Sequence, residues 1–254
     1  LESHGQHHRW KWHHCPCCPP NIARLVASIG SYMYAVSDNA IAVHLYGDSS
    51  ARLSVGDTRV TLTQKGNYPW DGKSEISVEL AAPARFTLAL RIPSWCENAS
   101  LAVNGETVSL GEITDRGYAH VTRDWQDGDR LVLDLPMSVK LLHANPLVRH
   151  DLGRVALMRG PLVYCIESAD NAANLDAIVL QHSHDEAETC TMDEVDGALA
   201  VNLMALRELP EGWENVLYRT EPARREAVSI RFIPYHLWDN RSPGEMLVWV
   251  REEL

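Results

Sequence analysis

SEISVELAAPARFTLALRIP, residues 74–93, reads as two short strands on either side of a proline-marked turn. Phe86, Leu88, Leu90 and Ile92 recur at period two, which puts all four on one face of a strand. A helix would need apolar residues three and four apart. Working outward, the same texture continues in AIAVHLYG (40–47), ARLSVGD (51–57) and TRVTLTQKG (58–66). LAVNGETVSL (101–110) is a hairpin, because Asn104-Gly105 accepts the positive φ angles of a type I′ turn. GYAHVTRDWQDGDRLVLDLP (117–136) adds another pair of strands around Asp127-Gly128. Strands at this spacing predict an antiparallel sandwich rather than β-α-β units.

A second block opens near 140. GRVALMRGPLVYCIES (153–168) is two strands broken by Gly160-Pro161, and DAIVLQ (176–181) and GALAVNLMAL (197–206) follow between acidic loops. The terminal AVSIRFIPYHLWDNRSPGEMLVWVREEL (227–254) holds two more strands about a proline-containing turn. The block predicts a second, smaller sandwich. Its last strand, within 245–254, is a candidate to return to the first one.

One helix interrupts this β pattern. Ile22, Leu25, Val26, Ile29 and Met33 follow helical spacing, and Pro19 and Pro20 suit a first helical turn. A single amphipathic helix is expected over about 20–35, with no partner helix nearby.

Charge and composition exclude several roles. With 23 basic against 34 acidic residues the net charge is −11, which argues against nucleic acid or an anionic membrane as partner. No apolar run approaches the roughly 20 residues that span a bilayer. Six cysteines in 254 residues are too few for a disulfide scaffold, so a reduced, cytoplasmic chain is the expectation. Cys96, Cys165 and Cys190 are scattered, and Cys165 reads as a small buried hydrophobe.

The chemistry is concentrated in HHRWKWHHCPCCPPNIARL (7–25). His4, His7 and His8 read as solvated or hydrogen-bonded, and Trp10 and Trp12 as packing residues or a sugar platform. Three cysteines in four positions are an unusual arrangement for packing alone. As a metal site the cluster is half complete: vicinal Cys17 and Cys18 can reach one zinc, but residues 26–254 hold no second cluster. As a nucleophile the placing makes sense, since a helix N-terminus carries partial positive charge and N–H groups that favour a thiolate. Spacing alone leaves these readings open.

CPCCPPNIARLVASIGSYMYA (15–35) resembles glycoside hydrolase family 127, the β-L-arabinofuranosidase-like enzymes. GNYPWDG (66–72), LALRIPSWC (88–96), LAVNG (101–105), ALMRGPLVYCIE (156–167) and PYHLWDNRSPGEMLVW (234–249) resemble that family in the same order, as does LESHGQHHRWKWHH (1–14). The resemblance covers nearly the whole chain but only the C-terminal part of the family's length. It implies a mainly β chain. Residues 1–35 would be the last loop and helix of an (α/α)6 barrel, 36–140 a first β-sandwich and 141–244 a second. The barrel itself would lie outside the chain and pack on the 20–35 helix.

The resemblance also implies a retaining glycosidase with a zinc-bound cysteine nucleophile. Cys17 matches the nucleophile, which also binds zinc, and Cys18 matches the adjacent zinc ligand. A glutamate and a cysteine ligand, and the glutamate acid/base, would lie upstream. Cys15 matches none of the four ligands, and His7, His8, His13 and His14 receive no role. The expected substrate is an arabinofuranoside-type carbohydrate, and the 254 residues alone are expected to be inactive. The alternative from strand content is a non-catalytic carbohydrate-binding or structural sandwich module.

Overall fold

The computed structural model describes residues 9, 16–181 and 190–253. The chain forms two compact units, one of Trp12–Met137 and one combining Leu1–Lys11 with Ser138–Leu254.

The first unit begins with α1 (Cys18–Ser28) and α2 (Gly30–Met33). Its strands are β1 (Tyr34–Val36), β2 (Ala40–Val43), β3 (Ser49–Val55), β4 (Thr58–Gly66), β5 (Lys73–Leu80) and β6 (Ala84–Arg91). Then come β7 (Ser100–Val103), β8 (Glu106–Val108), the short α3 (Leu110–Ile113), β9 (Thr114–Asp115), β10 (Tyr118–Trp125) and β11 (Arg130–Asp134). One sheet has the order β1-β2-β6-β10-β9, the other β3-β4-β5-β11-β7-β8. Both turn their alternate apolar residues into one core. Ile41, Leu88, Leu90 and Trp125 come from the first sheet, and Leu62, Ile76, Leu101 and Leu131 from the second. This is a two-sheet sandwich. Trp125 is fully buried and satisfies its indole N–H on the Phe86 carbonyl at 3.0 Å.

Local chemistry explains the turns. Asn104 and Gly105 have φ of 54° and 84°, and β7 pairs with β8 through Val103↔Glu106, as a type I′ hairpin requires. Asp127-Gly128 behaves differently. It links two strands in different sheets, and Asp127 Oδ1 accepts the Leu80 N–H at 3.0 Å. Within this unit the antiparallel expectation fails where β2 runs parallel to β6, from Ala40↔Thr87 to Val43↔Leu90. A parallel pair needs a long crossover, and β3 to β5 supply it through the opposite sheet.

The second unit holds β12 (Val139–His143), β13 (Arg154–Arg159), β14 (Leu162–Glu167), the short α4 (Ser168–Asn171) and β15 (Ile178–Leu180). It continues with β16 (Thr191–Val195), β17 (Ala198–Glu208), β18 (Arg225–Pro234), β19 (Met246–Leu247) and β20 (Trp249–Glu252). A second sandwich was expected here, but the hydrogen bonding closes a ring. The order β13-β20-β15-β17-β18-β14 returns to β13 through Met158↔Val163. Val155, Ile166, Leu180, Leu203, Phe232 and Val250, one from each strand, fill a single interior. The last strand does not return to the first sandwich. β20 pairs antiparallel with β13 and parallel with β15, and its buried Val250 helps fill the ring.

The closing motif forms a braced loop on this unit. Arg241 bridges Glu167 (2.6 Å) and Asp170 (2.5 Å), and the Asp239 N–H donates to Glu167 Oε1 at 2.8 Å. Ser168 accepts the Glu245 N–H, and Leu175 N–H donates to the Glu245 carboxylate. The N–H of Trp238 points inward to Tyr235 O, while its carbonyl accepts Arg9 Nε at 3.0 Å. A second Arg9 nitrogen also reaches the Trp238 and His236 carbonyls. The loop thus holds the Arg9 side chain.

Candidate functional site

α1 starts two residues before the expected position, so Cys17 is its capping residue and Cys18 its first residue. The proline pair falls within the first turn, where the fixed φ suits a helix and no N–H is lost from the hydrogen-bond ladder. The helical run breaks at Ile29 before the short α2.

The two thiols are exposed and their Sγ atoms lie 3.9 Å apart. Zinc–sulfur bonds of about 2.3 Å in a tetrahedron put two thiolates about 3.8 Å apart, so the pair fits one edge of such a site. Soft sulfur donors also suit zinc chemically. Among the described residues no group of three or more His, Cys, Asp or Glu gathers around a common point. Any further ligands therefore lie outside the described residues. Cys15, His7, His8, His13, His14, Trp10 and Trp12 are also outside them.

The expectation that the helix start offers several free N–H groups to a thiolate needs correction. Pro19 and Pro20 have none, and the Asn21 N–H is taken by the Cys17 carbonyl at 3.3 Å. The Cys18 thiol is pushed above its ordinary range, first by its hydrogen bond with Cys17 and then by charge on that neighbour. Two adjacent sulfurs resist carrying two negative charges. A bound cation is what this pair needs to be doubly deprotonated.

The carbonyl of Cys17 accepts a second donor, the Asn21 side-chain amide, at 2.9 Å. Arg24 in turn donates to Asn21 Oδ1. The residues that make up PPNIAR therefore form a short chain of contacts ending on Cys17. The apolar face of α1 is open: Ile22 and Val26 are 60% and 65% exposed, and Leu25 and Ile29 are exposed beside them.

Sequence reasoning missed a cavity of about 360 Å³ near the end of α2, lined by Ile29, Met33, His44, Tyr46, Tyr68 and Arg91. The unassigned NYPWDG segment supplies Tyr68, and His44 Nδ1 lies 2.8 Å from the Tyr118 hydroxyl. Burial pushes the Tyr46 and Tyr68 phenols up, so they act as hydrogen-bonding groups rather than bases. Cys165 is fully buried as expected, and burial pushes its thiol up to about 12. Among the described residues no helix is long and apolar enough to cross a membrane.

Comparison with known proteins gives a consistent picture. Residues 40–137 match the family description "Beta-L-arabinofuranosidase, GH127 middle domain", and residues 139–251 match "Glycoside hydrolase family 127 C-terminal domain". The chain is 38% identical over 259 residues to the non-reducing end β-L-arabinofuranosidase of Bifidobacterium longum subsp. longum. That match covers 98% of this chain and 39% of the bifidobacterial protein. Among solved structures, a GH127 β-L-arabinofuranosidase from Geobacillus stearothermophilus T6 superposes with a TM-score of 0.91 at 41% identity. It is matched over 98% of this chain and 39% of its own. A further glycoside hydrolase superposes at 0.84 with 35% identity, covering 97% of this chain and 41% of that one. The chain thus spans about two fifths of the length of the relatives it matches.

Proposed function

Because this chain belongs to glycoside hydrolase family 127, we propose that it is the C-terminal part of a retaining β-L-arabinofuranosidase-like enzyme with Cys17 as nucleophile. The observation that carries the reading is the Cys17–Cys18 pair, exposed at a helix start with a sulfur separation that suits a shared zinc. Zinc, when bound, keeps both thiols deprotonated at neutral pH, where a free thiol with a pKa near 8.5 is only a few per cent ionised, roughly.

The residues then divide the work. Cys17 Sγ attacks the anomeric carbon, forming a carbon–sulfur bond as the bond to the leaving oxygen breaks. A carboxylic acid outside this chain gives that oxygen its proton. In the second half water attacks the same carbon, its proton goes to the carboxylate, and the sulfur leaves as thiolate. Two inversions give net retention. Cys18 does not react; it would hold the zinc together with Cys17.

The match to the bifidobacterial enzyme leaves about 400 of its residues outside, since 259 residues are 39% of it. We assign to that region the remaining metal ligands, the acid/base and a helical barrel that packs on the open face of α1. General acid–base help is worth about 10²–10⁴ in rate, and positioning more, so the 254 residues alone are inactive. Among the described residues no observation favours the binding-module alternative. A groove of about 590 Å³ on the first unit is lined by Arg52, Ser54, Arg59, Thr61 and Glu79 among others, with no aromatic ring to stack on a sugar. The intact protein is tested by NMR of the first sugar released from an aryl arabinofuranoside. Retained anomeric configuration is expected, and inversion rules the reading out.

A further inference from the structure

We propose that Asn21 is a positioning residue for the nucleophile and that Arg24 acts through it; the proposal rests on the reading of Cys17 above. The Cys17 carbonyl receives two donors, the Asn21 backbone N–H at 3.3 Å and the Asn21 side-chain amide at 2.9 Å. Only the first belongs to an ordinary helix. The second fixes the peptide plane between Cys17 and Cys18, and that plane sets the directions in which both side chains leave the backbone.

Arg24 decides which way round the Asn21 amide stands. A guanidinium can only donate, so the Asn21 oxygen must face it, and the NH₂ group is left facing Cys17. Arg24 contacts Asn21 Oδ1 at 2.5 Å. Position i+3 on a helix puts the two side chains side by side. The prolines in the first turn carry no N–H and take no part in this arrangement, so the Cys17 carbonyl receives its ladder bond from the Asn21 N–H and its added bond from the Asn21 side chain. Ser28 accounts for the far end of the helix with bonds to the Arg24 and Leu25 carbonyls and does not reach this network.

The test uses the intact protein loaded with Co(II), whose thiolate absorption bands report the geometry of the two sulfurs. Asn21→Ala is expected to shift those bands and to weaken metal retention against a chelator by roughly 10- to 100-fold, the range for groups that orient a ligand from behind. Asn21→Asp, which keeps the size but loses the donor, is expected to behave like Asn21→Ala. kcat falls while KM stays within about twofold, because substrate contacts are untouched. Arg24→Met gives a smaller effect in the same direction and adds nothing to Asn21→Ala, since it acts through the same amide. Unchanged bands and unchanged metal retention in Asn21→Ala overturn the proposal, whatever happens to thermal stability. Cys17→Ala, run in parallel, separates the two claims. If the parent protein shows no thiolate–Co(II) band at all, the reading of Cys17 fails and this proposal with it. If the band is present and lost in Cys17→Ala but indifferent to Asn21, only the positioning role fails.

Discussion

Cys17 Sγ and Cys18 Sγ lie 3.9 Å apart on successive residues, at the start of α1. Adjacent cysteines rarely bridge one another, because a disulfide needs specific Cβ directions that neighbouring residues reach only with strain. The pair is close, unbridged and exposed, and its separation is one that the zinc site proposed above would require.

This pairing has a titration consequence in the metal-free protein. Cys18 is raised above the usual thiol range by its neighbour, so at neutral pH it is mostly protonated and alkylates slowly. Replacing Cys17 by Ala removes both the hydrogen bond and the charge. Cys18 then titrates lower and is expected to react several-fold faster with iodoacetamide at pH 8, as followed by mass spectrometry. A slower reaction would contradict the assigned cause.

In the second unit Glu208 accepts hydrogen bonds from Arg251 and Arg225, and Arg251 is the larger cause of its lowered titration. A depressed carboxylate contributes stability above its unfolded value of about 4.3 and loses it as the pH falls through the folded one. The pair is partly exposed and screened, so Glu208→Gln is expected to cost about 1 kcal/mol at pH 7. Urea unfolding of parent and variant should converge on acidification below about pH 3. A difference that persists there is not electrostatic.

Glu167 is 4% exposed and receives both Arg241 and the Asp239 N–H. Glu167→Ala removes one of the two carboxylates that Arg241 bridges and leaves the Asp239 N–H without its acceptor, an expected loss of about 2 kcal/mol in denaturant unfolding. The carbonyls that accept Arg9 belong to the loop braced by these contacts. Unchanged stability would show that the brace is ornamental.

Gly72 closes the NYPWDG loop against β11's exit. A Cβ there would lie 1.8 Å from the Leu135 carbonyl oxygen, which itself follows the Leu135 N–H bond to Gly72 O at 3.1 Å. Backbone cannot yield as a side-chain tip can. Gly72→Ala is expected to destabilise the first unit by about 3 kcal/mol, measured by thermal unfolding.

The β content, the hairpin at Asn104-Gly105 and the burial of Cys165 were legible because each follows from local spacing or size. Period-two alternation in β6 depends only on neighbours in sequence. What local pattern could not carry was pairing at a distance. Asp127-Gly128 has hairpin chemistry, yet its two strands enter different sheets. The closure of the second unit depends on β14 bonding to β13 and β18 at once, which no stretch of residues announces. At the site, the thiols stood out as a cluster. The proline effect was readable too, since a residue without an N–H cannot stabilise an anion. The amide of Asn21 could not be read, because its role depends on a rotamer chosen by Arg24. His44, Tyr68 and Arg91 meet only through the fold.

The central claim concerns one covalent bond. Intact protein is mixed with a fast-leaving aryl arabinofuranoside, quenched with acid during turnover and digested, and the peptide bearing Cys17 is weighed. A single pentosyl unit on Cys17, absent when substrate is omitted, is the predicted result. Steady turnover with Cys17 unmodified and the adduct on another side chain, or on none, contradicts the account.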